Sequence, residues 1–468
     1  MTSASALAAA TPSSRDRYVD FLRAFSIGVV VLGHWLMATV SWTPDGLRAG
    51  NALAVMRWLQ PLTWLLQVMP VFFFVGGFAH LVGVDANRRR GGRYAEFVRG
   101  RISRLLRPVV VLLAVWVPLT LVLDASPLSP AVVRPMTKLV VQLLWFLGVY
   151  VLVVALAPVM LALHRRFGVR VLGVLVACAV VLDVVSLGYG LRAAGFVNVL
   201  PVWLFAHQLG FFYAEGRLGR RAALALASSG LAGLVALTAW GPYPTSMVGM
   251  PGERISNMNP PTLCIVALTC WLVGLVMLAR PAVTRWLARP RVWTGVVALN
   301  GVVMTVFLWH LTALLIAVLV LLPAGFPQPA VGSAAWWALR PVWFAALLAL
   351  LAALVAIFGR LERPRPAAAR PAAARPTPAA RPAAFPTPVA AARTAGPTPS
   401  APVPAASRGT RRAVAGVVLV AFGILGLAVA GLSEPATRAA TLVVVRVTPL
   451  TSLLYLGLGS ALLRRAAR

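Results

Sequence analysis

RDRYVDFLRAFSIGVVVLGHWLM, residues 15–37, decides how the chain is read. Past Arg23 its only ionisable side chain is His34. If the stretch is helical, the eleven steps from Arg23 to His34 turn the chain about 1100°, or three turns plus about 20°. Both side chains then lie on one stripe, about 16 Å apart at about 1.5 Å per residue. In a bilayer with a hydrocarbon part about 30 Å thick, a cation sits at the water boundary and an imidazole near the middle.

The rest of the chain supports that setting. Its 468 residues are 60% hydrophobic and only 12% charged, with a mean hydropathy of +0.85, more apolar surface than soluble domains can hide. The expected class is an all-α, polytopic transmembrane bundle. A formal charge of +32 would suggest nucleic acid in a soluble protein. Here the basic residues punctuate apolar runs and fill one late linker, so no nucleic acid is expected and membrane lipid is the partner. Lys138 is the single lysine. Cys178, Cys264 and Cys270 fall inside apolar runs without metal-ligand spacing and read as small core residues.

Runs long enough to span lie near 22–41, 62–84, 108–124, 139–163, 169–188, 196–214, 222–240, 261–279, 295–322 and 335–358, with two more at 413–432 and 440–463. Connections after the even-numbered runs up to the eighth carry eighteen arginines, against six basic residues in the alternate ones. By the positive-inside rule, both termini and the Arg23 end of the first helix face the cytoplasm of a cell-membrane protein. Residues 1–14 lack the order of a cleaved signal, so the first helix is expected to be retained. Four parts result: a cytoplasmic segment 1–21, a ten-helix membrane domain 22–359, a disordered cytoplasmic linker 360–412 of Ala-Arg-Pro and Pro-Thr-Pro repeats, and a two-helix appendage 413–468.

The chain resembles the acyltransferase-3 family of integral membrane acyltransferases. Five features carry the resemblance: Arg23, ten residues, then His34, with Asp20 one turn before; Pro70-Val-Phe-Phe-Phe-Val-Gly-Gly-Phe78; Arg101-Ile-Ser-Arg104-Leu-Leu-Arg107-Pro108; Trp145-Phe-Leu147 with Tyr150; and Phe307-Leu-Trp309-His310. Gly76 departs from the pattern, standing where many relatives have serine. The resemblance covers about 340 residues and excludes the linker and last two helices. It implies an O-acyltransferase that moves an acyl group from acyl-CoA, its co-substrate, to a hydroxyl-bearing acceptor such as a glycan, glycolipid or secondary metabolite.

That chemistry needs a base, positive charge for the donor phosphates and a water-poor cavity. His34 is the candidate base, or the site of an acyl-histidine. His310 is a second catalytic candidate on the acceptor side; Arg23, Arg101 and Arg104 are candidates for holding coenzyme A, because a guanidinium fork matches phosphate oxygens. Asp20 reads as a neutralising neighbour of Arg23, and Asn300, Thr305 and Tyr150 as polar lining. His207 and Asp183 lie at depth without a legible role, His80 and His164 read as helix-end residues, and Trp35, Trp42, Trp58 and Trp64 as interface anchors. No metal is expected, since no ligand spacing is visible. The alternative is a multi-helix transporter of a small solute whose buried histidines bind it or relay protons. The last two helices could in either case be a scaffold for partner proteins.

Overall fold

The structure, a computed structural model, describes residues 4–12, 14–43, 46–250, 252–362 and 408–466, without side chains at 41–43, 46–49 and 362. Twelve long helices account for most of the described residues. They are α1 (Arg17–Met37), α2 (Met69–Arg89), α3 (Tyr94–Asp124), α4 (Leu144–Phe167), α5 (Arg170–Asp183), α6 (Val199–Ala214), α7 (Arg220–Trp240), α8 (Leu263–Leu287), α9 (Val303–Leu321), α10 (Ala334–Glu362), α11 (Arg408–Ala430) and α12 (Pro449–Ala466). Among the described residues, eleven helical stretches are long and apolar enough to cross a membrane, α12 being the long helix outside that set. The chain is a multi-pass membrane protein with a helical bundle fold.

Several boundaries differ from the expected ones, for local reasons. The third span starts fourteen residues early, at Tyr94, so Arg99, Arg101, Arg104 and Arg107 sit inside α3 rather than in a loop. The ninth is broken at Gly301 and Val302 into a helix Pro290–Asn300 and α9. The run expected at 440–463 opens as a hairpin, β3 (Ala440–Leu442) paired with β4 (Val445–Val447), before α12. Its Thr-Leu-Val-Val-Val sequence favours strand, and Pro449 suits the first turn of the helix that follows. Another hairpin, β1 (Ala38–Thr43) with β2 (Gly46–Asn51), closes the far end of α1. Helix α10 continues to Glu362 and α11 begins at Arg408, so both flanks of the expected 360–412 linker are helical. Its remainder, 363–407, lies outside the described residues, as does the side chain of Trp42.

Helices α6 and α9 are apolar on all sides and form the centre of the bundle, with most of their residues buried. Helices α5, α7 and α10 expose most of their surface and lie at the periphery. Helix α6 meets α2 at a backbone-to-backbone contact: a Cβ on Gly77 would fall 1.9 Å from the His207 carbonyl oxygen, and one on Gly210 2.1 Å from that of Phe74. Only glycine permits this approach. At the end of α5, the buried Asp183 carboxyl accepts from the Leu263 amide (2.7 Å), the Tyr243 hydroxyl (2.9 Å) and the Asn198 amide (2.8 Å), joining three segments and capping α8. Asp183 is thus a structural hub.

The last two helices join the same hydrophobic core as the first ten. Ile424 and Leu425 of α11 lie against Gly148 of α4, and Asp124 at the end of α3 accepts from the Ser433 hydroxyl (2.6 Å) and the Glu434 amide (2.8 Å). Helices α11 and α12 also approach closely, with a Cβ on Gly459 placed 2.7 Å from the Gly416 carbonyl oxygen.

Two stability measurements follow. Gly210→Val should destabilise the purified protein by about 2 kcal/mol or more through forced separation of α2 and α6, whereas Gly28→Ala, with nothing within 4 Å of the new methyl, should leave the detergent melting temperature unchanged or slightly higher. Asp183→Ala should cost about 3 kcal/mol by removing the acceptor shared by the Leu263, Tyr243 and Asn198 donors; a melting temperature equal to that of the unaltered protein would remove Asp183 from its structural role.

Candidate active site

Helix α1 begins where Asp16 caps it, accepting from the amides of Tyr18 and Val19, a common start signal that also places a negative charge at the positive helix end. Tyr213 of α6 donates its hydroxyl to the other Asp16 oxygen at 2.6 Å. This fixes the rotation of α1, and with it the stripe that carries Arg23 and His34.

At the Arg23 end, Asn300 is the organising residue. Its Oδ1 accepts from Arg23 Nε (2.7 Å), and its amide donates to the carbonyls of Asp20 and Val296 (both 2.9 Å). Asp20 differs from its expected role. Its Oδ2 accepts from Arg15 Nε at 2.5 Å while Arg23 lies 3.6 Å from Oδ1, so its main partner is Arg15. That hydrogen bond raises the Arg15 guanidinium above its ordinary value. Arg101 lies across Gly83, donates Nη2 to the Ala79 carbonyl (3.0 Å) and faces the Phe97 ring. Tyr150 is within electrostatic reach of both Arg23 and Arg101. Arg104 is not drawn into the group: it is exposed and donates to Gly100 on its own helix.

His34 and His310 meet in the interior. Their rings stack with centroids 5.2 Å apart and 27° between planes, and His310 Nε2 is 3.2 Å from His34 Nδ1. The hydrogen bonds assign the tautomers. His310 Nδ1 is 2.7 Å from the Phe307 carbonyl oxygen, which can only accept, so that nitrogen carries the proton. In a neutral ring His310 Nε2 is then an acceptor, and His34 Nδ1 must donate to it. The His34 Nε2 lone pair is left over. His310 is fully buried and His34 half-buried. Trp35, expected at the interface, is instead completely buried and donates Nε1 to the His310 carbonyl (3.0 Å), locking α9 to α1.

Aromatic rings connect the two ends. Phe307 packs on His310 (6.2 Å) and Phe146 (5.7 Å), and Phe146 on Tyr150 (5.9 Å). A Cβ on Gly76 would fall 3.2 Å from the Tyr150 hydroxyl oxygen. The space a serine would use is thus filled by the hydroxyl of Tyr150, which also contacts His80 Nε2 at 3.3 Å.

Three residues read as marginal form buried pairs. His80 Nδ1 lies 2.9 Å from His207 Nε2, and Gln208 Nε2 donates to His164 Nδ1 at 2.7 Å. His164 Nε2 lies 3.1 Å from Glu215 at the end of α6; this interaction, helped by Arg217, holds the Glu215 carboxyl below its usual range. Thr305 is buried, whereas Trp58 is exposed as expected and Trp64 donates to the Thr245 carbonyl (2.8 Å). Among the described residues, no three His, Cys, Asp or Glu side chains gather as a metal site.

No curated protein and no solved structure matches the chain. A family model, described as an acyltransferase domain, matches residues 16–360 and so takes in Arg23, His34, Arg101, Tyr150, Asn300 and His310. The chain therefore belongs to the acyltransferase-3 family of membrane enzymes that transfer acyl groups.

Proposed function

We propose that this acyltransferase takes its acyl group from acyl-CoA at the Arg23 end of the bundle and passes it to a hydroxyl of a carbohydrate, glycolipid or secondary metabolite, with His34 as general base. The observation that carries the reading is the chain of hydrogen bonds from the Phe307 carbonyl through His310 to His34, which leaves His34 Nε2 as the open acceptor. A base needs a fixed tautomer as much as it needs a location. His310 supplies it as a positioning residue, one ring behind the reacting one.

In the reaction, the acceptor hydroxyl gives its proton to His34 Nε2 as its oxygen attacks the thioester carbonyl carbon. The C–S bond then breaks, and coenzyme A leaves as a thiolate that takes up the imidazolium proton. Arg23 and Arg101 neutralise donor phosphates, and Asn300 holds the Arg23 fork in place. Arg104, exposed and turned to its own helix, guides the donor from the surface. The excess of arginines near the ends of the even-numbered runs supports a cytoplasmic mouth, open to acyl-CoA. The apolar surroundings of the histidines limit hydrolysis of the thioester.

The test is transfer from labelled acetyl-CoA and longer acyl donors in membranes holding the full chain. His34→Ala should lose at least about 10²-fold in turnover with unchanged membrane insertion, and full activity would refute the base assignment. His310→Gln, whose side-chain oxygen can still accept from His34 Nδ1, should stay within about 10-fold, while His310→Leu should fall about 10²-fold and displace the pH–rate profile. Identical profiles would make His310 merely structural. For Asn300→Leu the expectation is a rise of about 10-fold in the apparent KM for acyl-CoA with kcat kept within about 3-fold; an unchanged donor requirement would take Asn300 and Arg23 out of the donor site.

A further inference from the structure

Beyond the histidine pair, away from Arg23, the bundle opens into a pocket of about 240 Å³. Ala38 and Leu314, each four residues past His34 and His310, stand in its wall, so it begins one helical turn beyond the two rings. The rest of the wall comes from β1, β2, α10 and the segment before α10. Among the described residues, Arg340 of α10 is the one charged residue lining it.

Arg340 is half-buried, and its planar head is held against aromatic rings. Its guanidinium lies over the Trp336 ring at 4.3 Å and near that of Trp343 at 5.9 Å, and Nε donates to the Trp336 carbonyl at 3.3 Å. Both tryptophans are buried. Among the described residues, Arg340 forms no ion pair with any carboxylate, whereas Arg15, Arg23, Arg134, Arg165 and Arg217 each have one. Cations removed from water are stabilised by an anion or by full hydrogen bonding. A stacked planar fork is pre-arranged for a carboxylate or phosphate. Thr39 and Gln328 add hydrogen-bonding side chains to the wall, and the space suits one sugar-sized group rather than an extended chain.

We propose that this cavity is the acceptor site and that it selects an anionic acceptor, a hydroxyl-bearing ring whose carboxylate or phosphate is bound by Arg340 between Trp336 and Trp343. The inference rests on the transfer reaction proposed above and adds the acceptor class. The acid group anchors at the distal end of the cavity, and a hydroxyl on the opposite side of the same ring points back toward His34. The donor enters from the Arg23 end and the acceptor from the other, so the reacting atoms converge on the histidine pair.

The test uses equilibrium binding to the full-length protein in nanodiscs of zwitterionic phosphatidylcholine, without acyl donor, read by quenching of tryptophan fluorescence. The probes are glucuronic acid, galacturonic acid and glucose 6-phosphate against glucose. At least one anionic sugar should bind at least 10-fold more tightly than glucose. Arg340→Leu should erase the difference, and Arg340→Lys should retain part of it. Equal binding of all four sugars, which needs no variant to observe, overturns the proposal, as does an anionic preference that survives Arg340→Leu. A third arm replaces the lipid with anionic phosphatidylglycerol: loss of sugar binding there assigns Arg340 to lipid headgroups and also overturns it. Because no donor is present, failure to bind sinks the acceptor assignment alone, while failure of acyl transfer with every acceptor sinks the enzymatic reading and leaves the binding result standing.

Discussion

A polar group inside a membrane-spanning bundle has no water to turn to, so its partner has to come from another helix. That requirement organises this protein. Asn300 supplies the acceptor for Arg23, the His310 ring meets His34, the His310 carbonyl accepts from Trp35, and Asp183 takes three donors from segments far apart in the chain. Each bond sets both the separation and the rotation of the helices it joins. The interior polar groups therefore act as registry pins in a bundle whose apolar surfaces, packed against equally apolar lipid, discriminate little among neighbours.

The same pins give the candidate site its directionality. On α1 a cation and an imidazole are held about 16 Å apart on one stripe, and α9 brings a second imidazole beside the first. Between them, Phe146 and Phe307 form an aromatic wall that leads from Tyr150 to His310. The deeper His80–His207 pair sits behind Tyr150 and completes its hydrogen bonding. Charge gathers at one end, tautomer control sits in the middle, and an arginine stacked on tryptophan waits at the other.

Much of this was legible in the sequence because it depends on local periodicity. Apolar runs of about twenty residues read as membrane-spanning helices, and eleven residues at 100° each bring Arg23 and His34 to one side. What periodicity cannot supply is the choice of partner. His80 and His207 are 127 residues apart, and nothing in either helix names the other. His80, His164 and Trp35 were therefore misread as surface or interface residues. The β1–β2 hairpin did leave a signal: Thr39-Val-Ser-Trp-Thr43 is rich in strand formers and runs into Pro-Asp-Gly46, a turn sequence that the apolar run preceding it obscures. The Gly77 and Gly210 contact was visible only as two glycines, since close approach is a property of a pair.

The wedge of Ile424 and Leu425 against Gly148 has a bearing on how the enzyme is delimited. Helix α11 falls beyond the stretch shared with the family, yet it packs on the very helix that carries Phe146 and Tyr150. A boundary drawn by family likeness thus cuts through a mechanical unit: α11 lies outside it in sequence and acts as a buttress in space, and the posture of the aromatic wall is partly its doing.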